Sequence, residues 1–329
     1  MSTSSDPRGR LAELYSAKQT ALAAPAVSPG QTFVRRHFYD LQLQPQSEPQ
    51  DDDIMGGGFA NSIDARPAAP DIERGSVRAV YPLDMVQIGF LLAEFFGTVT
   101  PTGAGPYVHT FDSASVVIPS TTIERKINTG AFDGAVGLVA RSLTFPIGAD
   151  RGYTRINAEY FARQCMEQYA STTAGTPTAV ALGARVPRAV GSIKRDGVAL
   201  GSIISGDVTL TNVLGEDAYH GSALVEDVQL EGRTAALNLT GRFKGAALRD
   251  MGKVASGAYL PGVYDIELAW TLSASLSLVL TLRNQRFAKV GIATSGPGRL
   301  DVGLRGRGEV GAASAMVTAV LTTTQATAY

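Results

Sequence analysis

The chain has 329 residues and a formal net charge of −1, from 29 Lys and Arg against 30 Asp and Glu. With 44% hydrophobic residues and a mean hydropathy of +0.05 it carries enough apolar material for a real core, which excludes wholesale disorder. The balanced charge excludes a global basic field of the kind that grips nucleic acid over a large surface.

The length is a prior of about two domains. The single cysteine, Cys165, forbids an intrachain disulfide and fits a reducing compartment or a particle that does not rely on disulfides. The N-terminus MSTSSDPRGRLAEL lacks the apolar stretch of a secretory signal, and no apolar run approaches the roughly 20 residues of a membrane-spanning helix. With 36 Gly and one Trp, the composition suits a turn-rich β protein.

Residues 1–31 read as an N-terminal arm with little core of its own, holding a short helix over Leu11 to Leu22 that Pro25 and Pro29 end. A first β domain is expected over 32–170. Within it, 42–58 reads as an exposed loop, Pro-, Gln- and acid-rich to Asp53 and then glycine-rich at 56–58. The strand-like GSVRAVYPL (75–83) leads into DMVQIGFLLAEFFG (84–97), the clearest helix. There Asp84 is placed to cap, Gly97 to close the C-terminus, and only Gln87 and Glu94 are polar in a segment that must be covered on most sides.

The Thr-, Gly- and Pro-rich 171–190 reads as the connection to a second β domain, 191–329. That half echoes the first: RTAALNLTGRF (233–243) leads into the amphipathic KGAALRDMGKVASG (244–257), and further strand-like stretches follow. From Tyr264 to Leu282 every even position is apolar and most odd positions are polar or small. A two-residue hairpin reverses such parity. The unbroken pattern therefore predicts one long strand, on the order of 60 Å, or strands joined without a tight two-residue turn. Arg299 to Glu309 and Leu224 to Glu231 alternate as well, as strands do with one packed face and one wet face.

No catalytic set converges. His37, His109 and His220 have no metal-ligand spacing, and Cys165 has no C-x-x-C partner. Gly306 to Gly311 matches G-x-G-x-x-G, but too little sequence follows it to complete a nucleotide-binding unit. Asp51-Asp52-Asp53 reads as a solvated charge run, and the Asn238-Leu-Thr240 sequon means nothing without secretion. No catalytic residue, cofactor or metal is expected.

Several stretches carry a resemblance: GSVRAVYPLDMVQIGFLLAEFFGT (75–98), GPYVHTFDSASVVIPSTTIER (105–125), FDGAVGLVARSLTFPIG (132–148) and AALNLTGRFKGAALRDMGKVASGAYLPG (235–262) with the alternating stretch to Leu282. Across about residues 32 to 321 the chain resembles the tail tube proteins of long-tailed, siphovirus-type bacteriophages, specifically the family with two related halves. The resemblance implies a mainly β (α+β) fold of two tandem antiparallel β-sandwich or half-barrel units, each flanked by a helix. Such units would join into a ring with a continuous inner β-barrel.

The function it implies is a structural virion protein, a non-enzymatic tube subunit assembled in the host cytoplasm. Its stacked rings, trimeric and pseudo-hexameric or hexameric, make a hollow conduit for DNA ejection. The implied partners are other copies of the chain, tape measure, terminator and distal tail proteins, and DNA that passes without specific binding. Thr271, Ser273, Ser275, Ser277 and Thr281 are lumen-facing candidates because small uncharged polarity offers phosphates little to grip; an ordinary solvent face is the alternative. Ile88, Leu92, Phe95 and Phe96 are subunit-contact candidates, with burial in their own domain as the alternative. The competing functions are an outer-membrane β-barrel pore, disfavoured by sparse aromatics and two helical segments, a tube of a contractile tail or secretion machine, and a soluble enzyme.

Overall fold

Period-two alternation is realised as antiparallel strands along most of the chain. A computed structural model describes residues 9–22, 32–50, 68–148, 150–244, 246–256, 258–290, 300–311 and 314–329. The acidic run 51–53 and the glycines at 56–58 lie outside the described residues.

The first half contributes β1 (Glu13–Lys18), β2 (Val34–Arg36), β3 (Asp40–Gln46), β4 (Arg74–Pro82), α1 (Ile88–Phe96), β5 (Tyr107–Asp112), β6 (Thr121–Asn128), β7 (Ala131–Gly148), β8 (Arg155–Tyr169) and β9 (Thr178–Ala179). The second contributes β10 (Ser192–Arg195), β11 (Val198–Ala199), β12 (Ile203–Asp217), β13 (Asp227–Arg242), α2 (Ala246–Arg249), β14 (Val263–Ser273), β15 (Leu276–Phe287), β16 (Asp301–Arg307) and β17 (Val317–Thr323).

A broad antiparallel sheet runs β3-β4-β8-β7-β12-β13-β16 and so crosses from one half to the other. Strand β7 is the branch point. One edge pairs with β8, while the other pairs first with β6, over Ala131 to Leu138, and then with β12, over Ser142 to Gly148. A second layer runs β10-β14-β15-β17-β5 and meets the broad sheet where Phe287 of β15 pairs with Gly306 of β16. The layers bury their apolar faces in one continuous core, where the rings of Phe145 (β7) and Trp270 (β14) lie 5.9 Å apart. The pairing order is β3-β4-β8-β7-β6 in the first half and β12-β13-β16-β15-β14 in the second, with a helix after β4 and after β13. The sheet is not closed: among the described residues β3 has β4 as its one strand partner.

Five local expectations change. The expected exposed loop over 42–58 opens as strand, because Gln42 to Gln46 pair with Arg78 to Arg74 as the end of β3. The alternating stretch 264–282 is two strands, β14 and β15, joined by the tight turn Ala274-Ser275 with Ser273 opposite Leu276. The register shifts between Thr271 and Ser273, so Leu272 is an extra residue, a β-bulge. One extra residue undoes the reversal that the turn imposes, and Trp270, Leu268 and Ile266 again face Leu278, Leu280 and Leu282 on the core side. The expected helix over Leu11 to Leu22 contains strand β1, paired with β2 and β6, with Leu14 fully buried in the main core. Tertiary pairing here overrides local helix propensity.

The second helical segment shrinks to α2 and a 3-10 turn, Asp250–Gly252. Gly252 lies so close to the Ala288 carbonyl that a side chain there would collide with it. The first helix starts at Ile88 rather than at Asp84, which is used otherwise, as described below.

Candidate assembly surfaces

The broad sheet presents one face to the core and leaves the other open. Across the open face the register aligns Gln42, Arg78, Glu159, Ser142, Thr211 and Thr234 in one row. The next row holds Asp40, Val80, Asn157, Thr144, Thr209, Ala236 and Arg307, and a third holds Asp207, Asn238 and Arg305. Neighbours on this face bond to one another: Arg78 to Glu159 at 3.0 Å, Thr144 to Thr209 at 3.1 Å, and Asn238 to Asp207 at 3.1 Å. Its charges balance, with Arg78, Arg305 and Arg307 against Asp40, Glu159 and Asp207. The face has no dominant sign of charge.

The second layer has an open face of its own. Thr271, Ser277 and Thr281 lie on it, in register with Ala319's neighbours Thr318, Val320 and Thr322 of β17. Ser273 ends β14 and bonds Ser275 in the turn, 3.2 Å between hydroxyls. The lumen candidates are thus brought together at one end of this smaller, nearly uncharged face, whose ion pairs, Lys194–Glu267 and Arg283–Asp265, lie toward the other end.

The helix α1 is held from several directions. Ile88, Leu92, Phe95 and Phe96 are covered by their own chain, at 2% exposure or less. Inside this apolar setting Glu94 pairs with Arg36 at 2.5 Å and accepts the Tyr160 hydroxyl at 2.8 Å, while the Arg36 guanidinium lies 4.6 Å from the centre of the Tyr81 ring. Burial, and after it the charge of Glu94, pushes the Tyr160 hydroxyl well above its ordinary pKa. At the C-terminal end of α1, the Phe95 carbonyl accepts from Asn212 of β12 and from Arg233 of β13, so the second half caps the first half's helix.

Asp84, fully buried, accepts four backbone N–H groups. Val86 and Gln87 donate to one oxygen at 3.0 and 3.2 Å, and Gly183 and Ala184 donate to the other at 3.1 and 3.0 Å. It thereby ties the 171–190 connection to the turn that starts α1. The local sequence marks Asp84 as a cap of the helix that follows it. Its second pair of donors is about a hundred residues away and left no local signal.

The remaining candidates disperse. His109 is buried and bonds the Gln325 carbonyl at 3.0 Å, His37 bonds the Val180 carbonyl at 3.2 Å, and His220 is exposed on the β12–β13 turn. Burial pushes the Cys165 thiol up to about 11, so it is inert as a nucleophile at neutral pH. Gly306 sits inside β16 against Phe287, not at the start of a helix. Among the described residues no group of three or more His, Cys, Asp and Glu side chains is placed to hold a metal ion, and no helix is long and apolar enough to cross a membrane.

An open polar face, on a sheet whose outer strand β3 has β4 as its one strand partner among the described residues, leaves a sheet edge to which a further strand can pair. The particular family follows from comparison. The chain belongs to the phage tail tube protein family, whose model matches residues 9–298. It is accordingly a structural component of a bacteriophage tail and so of the virion. No curated protein sequence matches the chain.

Proposed function

We propose that this protein is the major tube subunit of a phage tail, and that its copies close into rings whose stacking makes a hollow conduit for DNA ejection. The observation that carries this reading is the broad sheet. It is hydrogen-bonded without a break from β3 to β16 through both halves, with one face in the core and the other open, polar and charge-balanced. Pairing the outer strands with those of neighbouring copies removes the exposed edges and yields a wide barrel. The recurrence of strand order supports two tandem units, 32–170 and 191–329, so three copies supply six units per ring. The open face of the broad sheet then lines the lumen, where balanced charge lets DNA pass without specific binding.

A second reading of the lumen has its own support. The smaller face bearing Thr271, Ser273, Ser275, Ser277 and Thr281 is nearly free of charge. In either case Ile88, Leu92, Phe95 and Phe96 serve assembly by fixing the layers from within. The chain would assemble in the host cytoplasm with tape measure, terminator and distal tail proteins.

Negative-stain electron microscopy of the concentrated, detergent-free protein tests the ring and tube, and ring averages count the subunits. Asn238→Cys and Thr271→Cys then decide the lumen. In tubes, a lumen-facing thiol reacts with a small maleimide but is shielded from a polymer-linked one, whereas in unassembled protein both reagents react. Shielding of Asn238→Cys alone supports the broad face, shielding of Thr271→Cys alone the smaller one, and shielding of neither refutes both.

A further inference from the structure

We infer that successive rings are joined through the two ends of the β12–β13 hairpin, with the acidic, tyrosine-bearing tip of one copy seated in a basic cleft at the far end of the same hairpin in a copy of the next ring. This rests on the tube-subunit reading and adds to it the contact along the tube axis.

The tip is built to project. Strand β12 leaves β7 after Thr211, while its pairing with β13 continues to Asp217 opposite Asp227. The extension is braced from below. Glu216 pairs with Arg141 at 2.8 Å, Glu226 with Arg163 at 3.0 Å, and the Glu73 amide donates to the Ala223 carbonyl at 2.8 Å. A braced tip gives up little conformational entropy when it docks. Its crest is exposed: Tyr219 stands 57% open beside Asp217 and His220. Glu216 and Glu226 are neutralised by these arginines, but Asp217, Asp227 and Glu231 have no basic partner among the described residues. The tip therefore carries unbalanced negative charge around an exposed aromatic ring.

The opposite end of the hairpin carries the complement. A cleft of about 280 Å³ opens where β13 ends and β12 begins, with Lys244, Arg195, which lies 5.3 Å over the Tyr264 ring, and Arg242, which is paired with Asp301 at 3.2 Å, as its cations and Val198, Leu200 and Leu248 as its apolar lining. No described acidic side chain lines it, and Val198 stands 67% exposed. A tyrosine suits such a place, with a ring for the apolar floor and a hydroxyl for the polar rim. Asp217, two residues from that ring, is placed to meet the cationic rim.

Tip and cleft lie at opposite ends of one hairpin, so one contact uses the tip of one copy and the cleft of another and leaves a free tip and a free cleft. Such a head-to-tail contact repeats without closing and builds a filament. It also predicts the ring spacing. The 15 residues of β12 span on the order of 50 Å, and a strand tilt of about 35–45° leaves a rise of about 35–40 Å per ring.

The test uses the full chain with Asp217→Lys, Tyr219→Ala and the charge swap Asp217→Lys with Lys244→Asp, all at exposed positions. The readouts are the critical concentration for tube growth, found by sedimentation, and micrographs. The expected result is a critical concentration raised at least tenfold in each single variant with rings still formed, recovery to within about threefold in the swap, and wild-type tubes that weaken as salt screens the contact. Single variants that grow tubes like the wild type, or a swap that fails to recover, overturn the contact while leaving the tube reading standing. A wild-type chain that forms neither rings nor tubes overturns the tube reading itself and this contact with it.

Discussion

Asp84→Ala is expected to lower the melting temperature by several degrees without changing any exposed surface. Four backbone N–H groups converge on this one buried carboxylate, between 3.0 and 3.2 Å. A hydrogen bond to a charged acceptor contributes about 1.5–3 kcal/mol, so four sum to about 6–12 kcal/mol. The cost of keeping a carboxylate out of water offsets several kcal/mol of this, leaving a net loss of about 3–5 kcal/mol when the acceptor is removed. At about 2.1 cal/mol/K per residue the unfolding entropy of the chain is about 0.7 kcal/mol/K, so the melting point falls by about 4–7 °C. Asp84→Asn keeps one acceptor oxygen, hence one of the two N–H pairs, and loses about half as much. Calorimetry gives the magnitude. Amide hydrogen exchange gives the place, because the Gly183 and Ala184 amides must lose protection in the alanine variant. A melting point within 1 °C of wild type, with those amides still protected, refutes the clamp.

Phe95→Glu puts an unpaired carboxylate at a site 1% exposed and costs several kcal/mol; circular dichroism is expected to report loss of the fold, whereas a folded variant that cannot assemble places Phe95 at a subunit contact instead. Arg36→Met strands the Glu94 carboxylate and costs about 3–5 kcal/mol in denaturant melts, and adding Glu94→Leu recovers most of it, because an apolar pair also satisfies that site. Glu124 is buried, which raises its pKa, but hydrogen bonds from Thr172, Thr173 and Tyr169 outweigh burial and hold it below the ordinary carboxylate value. Its folded pKa thus lies below its unfolded one. Its stabilisation is fully present above the unfolded value and is lost as the pH falls through the folded one. Glu124→Gln is expected to flatten the acid limb of a stability–pH profile, and an unchanged profile counts against the assignment.

The main features of the fold were legible in the sequence wherever the signal is local. Alternation marks the strands on both sides of the 171–190 connection, and the apolar segment 84–97 marks α1, because periodicity is imposed by the burial of one face. The parity of 264–282 misled because a single bulge residue, Leu272, compensates the turn, and nothing in the residue types distinguishes a bulge from a continuing strand. Strand β1 was hidden by a Leu- and Ala-containing stretch whose helix preference is worth a few tenths of a kcal/mol per residue, less than the pairing with β6 and burial of Leu14 supply.

By itself, then, the sequence determined the class of the protein: β-patterned in both halves, with one well-marked helix and local stretches resembling the tail tube family. Tertiary structure alone decided which strands meet. The joining of β7 to β12, the capping of α1 by Arg233, and the clamp of Asp84 on Gly183 and Ala184 each link residues more than fifty positions apart. Side-chain periodicity records only which face of an element is buried. It carries no information about the partner that buries it, so the open polar face of the broad sheet and the charged ends of the β12–β13 hairpin became visible only once the chain was folded.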